Sequence, residues 1–471
     1  MLFFILLHIY FVSFTDKPEK SAPQLSPRAI EQRAKWNIPT DQMDYPVSPM
    51  YIREVEITGA KICHKSRWFN GVTCEADTAT AAKIAALKFV TSVEMTREEQ
   101  SAKGAPRRAK WANEQLFGPV SDDPLQRWSD EQHALYNLLP LHEAGYKGQG
   151  ILMTVCDGGF TNANTLKCFK QDSLELSHFD FTDDTDDFYG WTGSHGTKCL
   201  SLIAARAQNY MGAATEAQYY LMRSEEYATE SPKEMDNLVA ALEKADSLGV
   251  NIFSASLGYA KFDNAEWTLP KSALDGKSTR ASRAATIAAR KGMLVCIAAG
   301  NEGNDTWRTI SVPADADSVL TVGAVGTDSL IGGFSSYGPS ADGRIKPEVC
   351  AVGVQSTFVS PDGYITTGNG TSFATPLLAG MAACLWSALP DENAMQIRER
   401  IIRSADRYLT PDTQDYQYGY GIPDAWKAYT YAENVNNVQR DNVQCTKVLR
   451  NGLIMIIRNG RTYNPAGQLI E

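Results

Sequence analysis

Apolar positions in the middle of this chain come in short continuous runs, separated by longer stretches with helical spacing. Ile151–Val155, Tyr219–Arg223, Val250–Ser256, Met293–Ala298 and Val319–Val325 read as strands, because short apolar runs bounded by turn residues suit strands covered on both faces. The stretches between them carry helix signals. Ser231 as N-cap, Pro232 in the first turn and Glu234 three residues on predict a capping box, with Gly249 as the stop. Thr279 to Lys291, ended by Gly292, is the next helix. Strands alternating with helices predict an α/β fold, a parallel sheet with helices on both faces. The longest apolar run, Leu377 to Leu389, has Ala and Leu all round and predicts a helix buried on every side. No charge occurs from Tyr364 to Pro390, yet the apolar part is about 13 residues, too short to cross a membrane.

The flanks have a different texture. Residues 10–96 mix short strands and helices, a small α+β domain. Ser26 and Pro27 open a helix through Lys35; Ser48 and Pro49 open one from Met50 to Thr58, ended by Gly59, although Val55-Glu56-Ile57 also alternates like a strand. Ala79 to Leu87 is a third helix and Val90 to Thr96 a last strand. Residues 1–14 are apolar apart from His8 and Ser13 and read either as a signal-like segment or, from Ile9 to Thr15, as a strand of this domain. Residues 97–127 are polar and charged, with Lys103, Arg107, Arg108 and Lys110 close together, and read as an exposed linker open to nicking. The large domain spans 128–433. A polar linker, 434–444, leads to a short β tail at 445–471, where Asn451-Gly452 and Asn459-Gly460 bracket Leu453 to Ile457 and predict a three-stranded meander.

At 471 residues, 43% hydrophobic, the chain is long enough for one large domain and smaller appendages. The net charge of −10 offers no footprint for nucleic acid, which needs clustered Lys and Arg. Nine cysteines are an odd number. Cys63 and Cys74 flank a hairpin and could bridge across it, whereas Cys156, Cys199, Cys296 and Cys384 lie in apolar strands or helices and read as buried thiols.

The candidate chemistry centres on Gly370-Thr371-Ser372-Phe373-Ala374-Thr375-Pro376, at the mouth of the long apolar run. Pro376 belongs in the first turn of the helix, which puts Ser372 at its N-terminus, where unpaired N–H groups and the dipole favour a developing anion. An esterase elbow is excluded: Ala374 replaces its last glycine, and no histidine follows Ser372 to serve as base. Among six histidines, His195 in Ser194-His195-Gly196-Thr197 opens an apolar helix, and before it the Ile151–Val155 strand ends on Asp157-Gly158-Gly159. The order Asp157, His195, Ser372, the Gly-Thr-Ser-x-Ala-x-Pro and His-Gly-Thr blocks, and Ala298-Ala299-Gly300-Asn301 after a strand together resemble the subtilisin-like serine proteases, the subtilases. Phe334 to Pro339 and Lys346-Pro347-Glu348 match a further block, with Val352 standing where the family usually has proline.

The resemblance implies a subtilisin-like catalytic domain with Asp157, His195 and Ser372 as the triad, Asn301 in the oxyanion hole, and Ser256, Leu257, Gly258, Ala298, Ala299 and Gly300 holding a protein or peptide substrate as an added strand. It implies that residues 10–96 are a propeptide acting as an intramolecular inhibitor, against the alternative of a permanent accessory domain. It also implies a secreted, periplasmic or outer-surface location and a monomer. The tail itself looks like the C-terminal sorting or anchoring segments of secreted Bacteroidetes proteins, against the alternative of a strand pair docked on the large domain. Cys199, four residues after His195, should lie beneath the imidazole, as in thiol-bearing subtilases, with sensitivity to mercurials. No cofactor is required for the chemistry. Structural calcium could sit at Asp180, Asp183, Asp184, Asp186 and Asp187, although their spacing matches no EF-hand and suits a solvated acidic loop. A different class remains, a catalytically silent scaffold that binds peptides, and covalent labelling by a fluorophosphonate separates the two.

Overall fold

The computed structural model describes residues 6–19, 21–98, 115–119, 127–170, 174, 176–182, 187–190, 193–227, 229–437, 445–450, 453–458 and 461–463. The first domain is a four-stranded antiparallel sheet, order β2-β3-β1-β4, with β1 His8–Phe14, β2 Lys61–Ser66, β3 Gly71–Ala76 and β4 Val90–Arg97. Helices α1 Pro27–Lys35 and α2 Pro49–Ile57 start on the expected Ser26 and Ser48 caps, and α3 Thr78–Ala85 starts and ends slightly earlier than expected, capped by the Asp77 side chain. Of the apolar stretch at the start, His8–Phe14 is a central strand, its side chains largely buried. Cys63 falls in a bulge of the β2–β3 hairpin and is half-buried, while Cys74 faces Ile62 and the core, so the expected bridge between the two does not form.

A five-residue strand, β5 Gln115–Pro119, precedes the large domain. That domain opens with short helices α4 Asp130–Leu135 and α5 Leu139–Glu143, then builds its sheet from β6 Leu152–Asp157 and β7 Leu176–Asp180. Helix α6 His195–Ala204 and a two-strand ribbon, β8 Arg206–Ala207 with β9 Tyr210–Met211, lead to β10 Gln218–Arg223, α7 Lys233–Leu248, β11 Ile252–Ala255, α8 Arg280–Arg290 and β12 Leu294–Ala298. Strands β13 Leu320–Val325 and β14 Val349–Val352 complete the sheet. A hairpin, β15 Ser356–Val359 and β16 Tyr364–Gly368, feeds α9 Thr371–Ala388, followed by α10 Ala394–Ser404 and α11 Ala425–Asn437. Seven parallel strands lie in the order β14-β13-β12-β11-β6-β10-β7. Winding reverses at β6, so a crevice opens at the carboxyl ends of β6 and β11, where open α/β sheets place their sites. One core lies under α6 and α9, the other under α7 and α8.

Three expectations need correction. Helix α9 is 18 residues, longer than the apolar run, and what rules out a span is that Thr371 through Trp386 are all buried in protein. Pro376 lies in its second turn, not its first, and so leaves the Ser372 carbonyl without its i+4 donor; the Ser256 hydroxyl takes that carbonyl instead at 2.7 Å. Only half of the α7 capping box forms: Glu234 accepts from Ser231 N at 3.2 Å, but the helix begins after Pro232 and the Ser231 hydroxyl caps nothing.

The small domain docks on α7 and α8 through buried charge. Asp246 accepts from Arg33 at 2.7 Å and from Arg67 at 2.5 Å, all three nearly solvent-free, and Glu243 accepts from Ser66 Oγ and the Arg67 and Trp68 amides. Trp68 itself enters the core under α7. Removing one partner of such a network strands the others without compensation, at about 3–5 kcal/mol. Asp246→Ala, made in a chain that also carries Ser372→Ala, should lower unfolding stability by about that amount; a loss under ~1 kcal/mol would show that docking rests elsewhere.

The tail forms its own unit. Strands β17 Cys445–Arg450, β18 Leu453–Arg458 and β19 Arg461–Tyr463 make the expected antiparallel meander, and the preceding linker is shortened because α11 continues to Asn437.

Candidate active site

Asp157 ends β6, fully buried, and both its oxygens lie against His195 Nδ1, at 2.8 and 2.9 Å. Gly158 N donates to the same carboxylate at 2.7 Å and sets its rotation. His195 is the first residue of α6, and Gly196 explains why glycine must follow it: a Cβ there would stand 2.5 Å from Gly159 O and 2.9 Å from Asp157 Cβ. The close approach of strand end and helix start therefore depends on that glycine.

Ser372 is the second residue of α9, 2% exposed, with its hydroxyl 3.4 Å from Ser256 O. Its amide N–H, in the first turn, has no intrahelical acceptor. Cys199 ties the two halves together: its sulfur is 3.8 Å from each ring nitrogen of His195 and donates to Ser372 O at 3.4 Å. Burial first, and the Asp157 charge second, push that thiol well above its ordinary range and keep it neutral. Mercury captured on Cys199 would wedge under the imidazole, so stoichiometric labelling is expected to abolish activity. Cys199→Ala should remain active and lose that sensitivity; full activity after labelling would refute the placement.

Asn301 follows β12 in a loop fixed from two sides. Its Oδ1 accepts from Thr371 N at 2.9 Å and lies 3.1 Å from the Thr371 hydroxyl, which leaves the Nδ2 donors to an incoming oxygen. Its own amide donates to Glu302 Oε2, which also takes the Ser336 hydroxyl. Gly300, at φ +111°, could carry no Cβ without meeting Glu302 Oε2 at 2.6 Å. Thr371 and Glu302 as holders of Asn301 went unread in the sequence; the threonine is printed in the serine block, but its bond requires the loop after β12 to arrive beside it. Ser256-Leu257-Gly258 continue β11 and Ala298-Ala299-Gly300 end β12, two adjacent parallel strands, so the six expected substrate-holding residues flank one crevice with Gly258 exposed.

The acidic loop does not assemble a calcium site among the described residues. Asp180 pairs with Arg223 and accepts from Thr182 N and Oγ1, Asp187 accepts from Tyr189 N, and Asp183, Asp184 and Asp186 lie outside the described residues. A carboxylate committed to a guanidinium is a poor calcium ligand. At Val352, where proline is usual in the family, the amide is used: it donates to Tyr136 Oη at 2.5 Å.

A buried Asp–His pair, a serine at the N-terminus of a core helix and an asparagine clamped beside it, all at the carboxyl edge of a doubly wound parallel sheet, make this a site of serine-peptidase type. Residues 148–421 match the family described as the subtilase family, and residues 9–113 match the peptidase S8 propeptide domain of Bacteroidota. The chain belongs to the subtilase family, and it is a serine endopeptidase with a zymogen's propeptide. Subtilisin NAT of Bacillus subtilis subsp. natto is 26% identical over 361 residues, covering 73% of this chain and 86% of the relative. Subtilisin DY of Bacillus licheniformis is 29% identical over 285 residues, covering 59% and 90%. Among solved structures, MycP1 from the ESX-1 type VII secretion system shares the fold, at a TM-score of 0.52 and 21% identity over 70% of this chain and 94% of that one.

Proposed function

We propose that this endopeptidase is an exported, self-processing monomer whose triad is Asp157, His195 and Ser372. Ser372 Oγ attacks the peptide carbonyl, His195 Nε2 takes its proton and delivers it to the leaving amine, and Asp157 holds the Nδ1–H tautomer and offsets the positive ring. Asn301 Nδ2 and the Ser372 amide receive the oxyanion, aided by the dipole of α9. Ser256 to Gly258 and Ala298 to Gly300 hold the substrate backbone by strand pairing. The observation that carries the reading is the two-oxygen grip of buried Asp157 on His195 Nδ1, with Cys199 joining that ring to the serine's carbonyl. A silent scaffold would have no need to keep a buried carboxylate aimed at an imidazole.

The propeptide inhibits in cis until it is cut away, its docking supported by the Asp246 and Glu243 networks. Export follows the habit of the relatives, and the tail meander serves as a sorting segment. Fluorophosphonate labelling tests the chemistry: one adduct on Ser372, absent in Ser372→Ala, is expected. A properly folded, processed chain that takes no label would return the silent-scaffold reading.

A further inference from the structure

The proline in the second turn of α9 removes one hydrogen bond from that helix, and the bond it removes belongs to the serine. In an α-helix each amide N–H bonds the carbonyl four residues back, and Pro376 has no N–H to give to Ser372 O. Two side chains from outside the helix reach that carbonyl instead. The Ser256 hydroxyl donates to it at 2.7 Å, and the Cys199 thiol, a weak donor, at 3.4 Å. In the other direction the Ser372 hydroxyl donates to Ser256 O at 3.4 Å, so one residue meets the serine at both its carbonyl and its hydroxyl. All three residues are buried.

Ser256 is a firm point to hold from. It follows Ala255, the last residue of β11, and Ala255 is paired with Cys156 on one side and Ile297 on the other. A carbonyl fixed in direction fixes the peptide plane from Ser372 to Phe373. That plane, with the Thr371 amide held by Asn301 Oδ1 on the preceding side, decides where Ser372 Cβ and Oγ stand. Strand pairing with a substrate uses the main chain of Ser256 to Gly258 and leaves the Ser256 hydroxyl to this other task.

We propose that Ser256 is a positioning residue for the nucleophile: its hydroxyl replaces the helix hydrogen bond that Pro376 removes, and so sets Ser372 Oγ at the distance and angle from which it attacks. The inference rests on Ser372 being the nucleophile. Reaction requires the attacking and attacked atoms about 3–3.5 Å apart, and a misplacement of about 1 Å costs on the order of 10²-fold in rate. Neither a serine hydroxyl nor a carbonyl changes its protonation in the working range of a protease, so this grip, unlike that of Asp157 on His195, is independent of pH.

A double-mutant cycle tests it: wild type, Ser256→Ala, Pro376→Ala and the two together. Each chain is assayed for kcat and KM on a peptide, for its pH profile, and for the rate at which a fluorophosphonate labels Ser372, read by mass on that chain. Ser256→Ala should lower kcat and the labelling rate about 10²-fold, with KM nearly unchanged and the pH profile in place. Pro376→Ala restores an N–H four residues after Ser372, so in that background loss of the Ser256 hydroxyl should cost less than about tenfold. A Ser256→Ala chain within about twofold of wild type, one whose KM rises while kcat holds, one whose pH profile moves, or a loss of equal size in both backgrounds would each overturn the positioning role and leave the protease reading standing. If Ser256→Ala does not fold, the doubly substituted chain decides: labelling within about tenfold of Pro376→Ala supports the role, and a slower rate or a second failure to fold overturns it. A wild type that takes its label elsewhere than on Ser372, or takes none, would overturn the nucleophile assignment and this inference with it.

Discussion

Ser372→Ala is expected to lower turnover on the order of 10⁶-fold, the scale set by losing the serine in subtilisin, a relative. The loss is that large because the triad works as a unit: with no Oγ to attack, the imidazole and its carboxylate have nothing to activate, and only the oxyanion site and substrate binding persist. In this chain the same substitution should also freeze the zymogen. The Oγ makes a single described bond, a long one of 3.4 Å to Ser256 O, and the side chain is small, so its removal should cost little stability. Peptide affinity should be nearly unchanged, which separates loss of chemistry from loss of the site. A residual turnover above about 10⁻³ of wild type would place the nucleophile elsewhere.

The candidate catalytic groups stand out in the sequence because each is announced by its immediate neighbours in the chain. Gly196 is required by the Asp157 strand end pressing on α6, and the Ser372 block by the need for a helix N-terminus beside small residues. Parts of the fold that depend on distant partners were not legible. Strand β7, Leu-Ser-His-Phe-Asp, is an edge strand whose residues are only half-covered, so it lacks the apolar run that gave away its neighbours. Strand β14 is buried, but at four residues, Val-Cys-Ala-Val, it is short enough to pass as part of a motif. Strand β5 is polar at one end, ends on proline and acquires its partner only because β16 offers an edge. The apolar opening of the chain was ambiguous for a related reason. Composition alone does not announce a strand there, and it is pairing with β3 and β4 that makes His8–Phe14 one. Pro376 shows how a local rule yields to a tertiary one: a proline in the second turn is tolerable because the Ser256 hydroxyl, from β11's end, serves the carbonyl that it orphans.

Asp157→Asn is expected to be the second most damaging change, lowering turnover about 10⁴-fold with little effect on KM. Gly158 N donates to Asp157 Oδ1 at 2.7 Å, and both carboxylate oxygens lie against His195 Nδ1, so an asparagine that keeps its carbonyl oxygen on the Gly158 amide necessarily brings its NH₂ against Nδ1 as well. An NH₂ group can only donate, and Nδ1 must then accept. The ring proton moves to Nε2, the nitrogen that should be free to take the serine's proton, and the base is lost without any atom having moved far. Asp157 is fully buried, so solvent does not compete for its place on the ring. Folding should survive, since an amide of the same shape leaves no buried charge behind. The measurement is kcat and KM on a peptide substrate, beside thermal unfolding. A fall of less than about tenfold with unchanged stability would mean that Asp157 does not set the tautomer. A fall accompanied by a large drop in unfolding temperature would mean that the carboxylate holds the β6–α6 junction together instead.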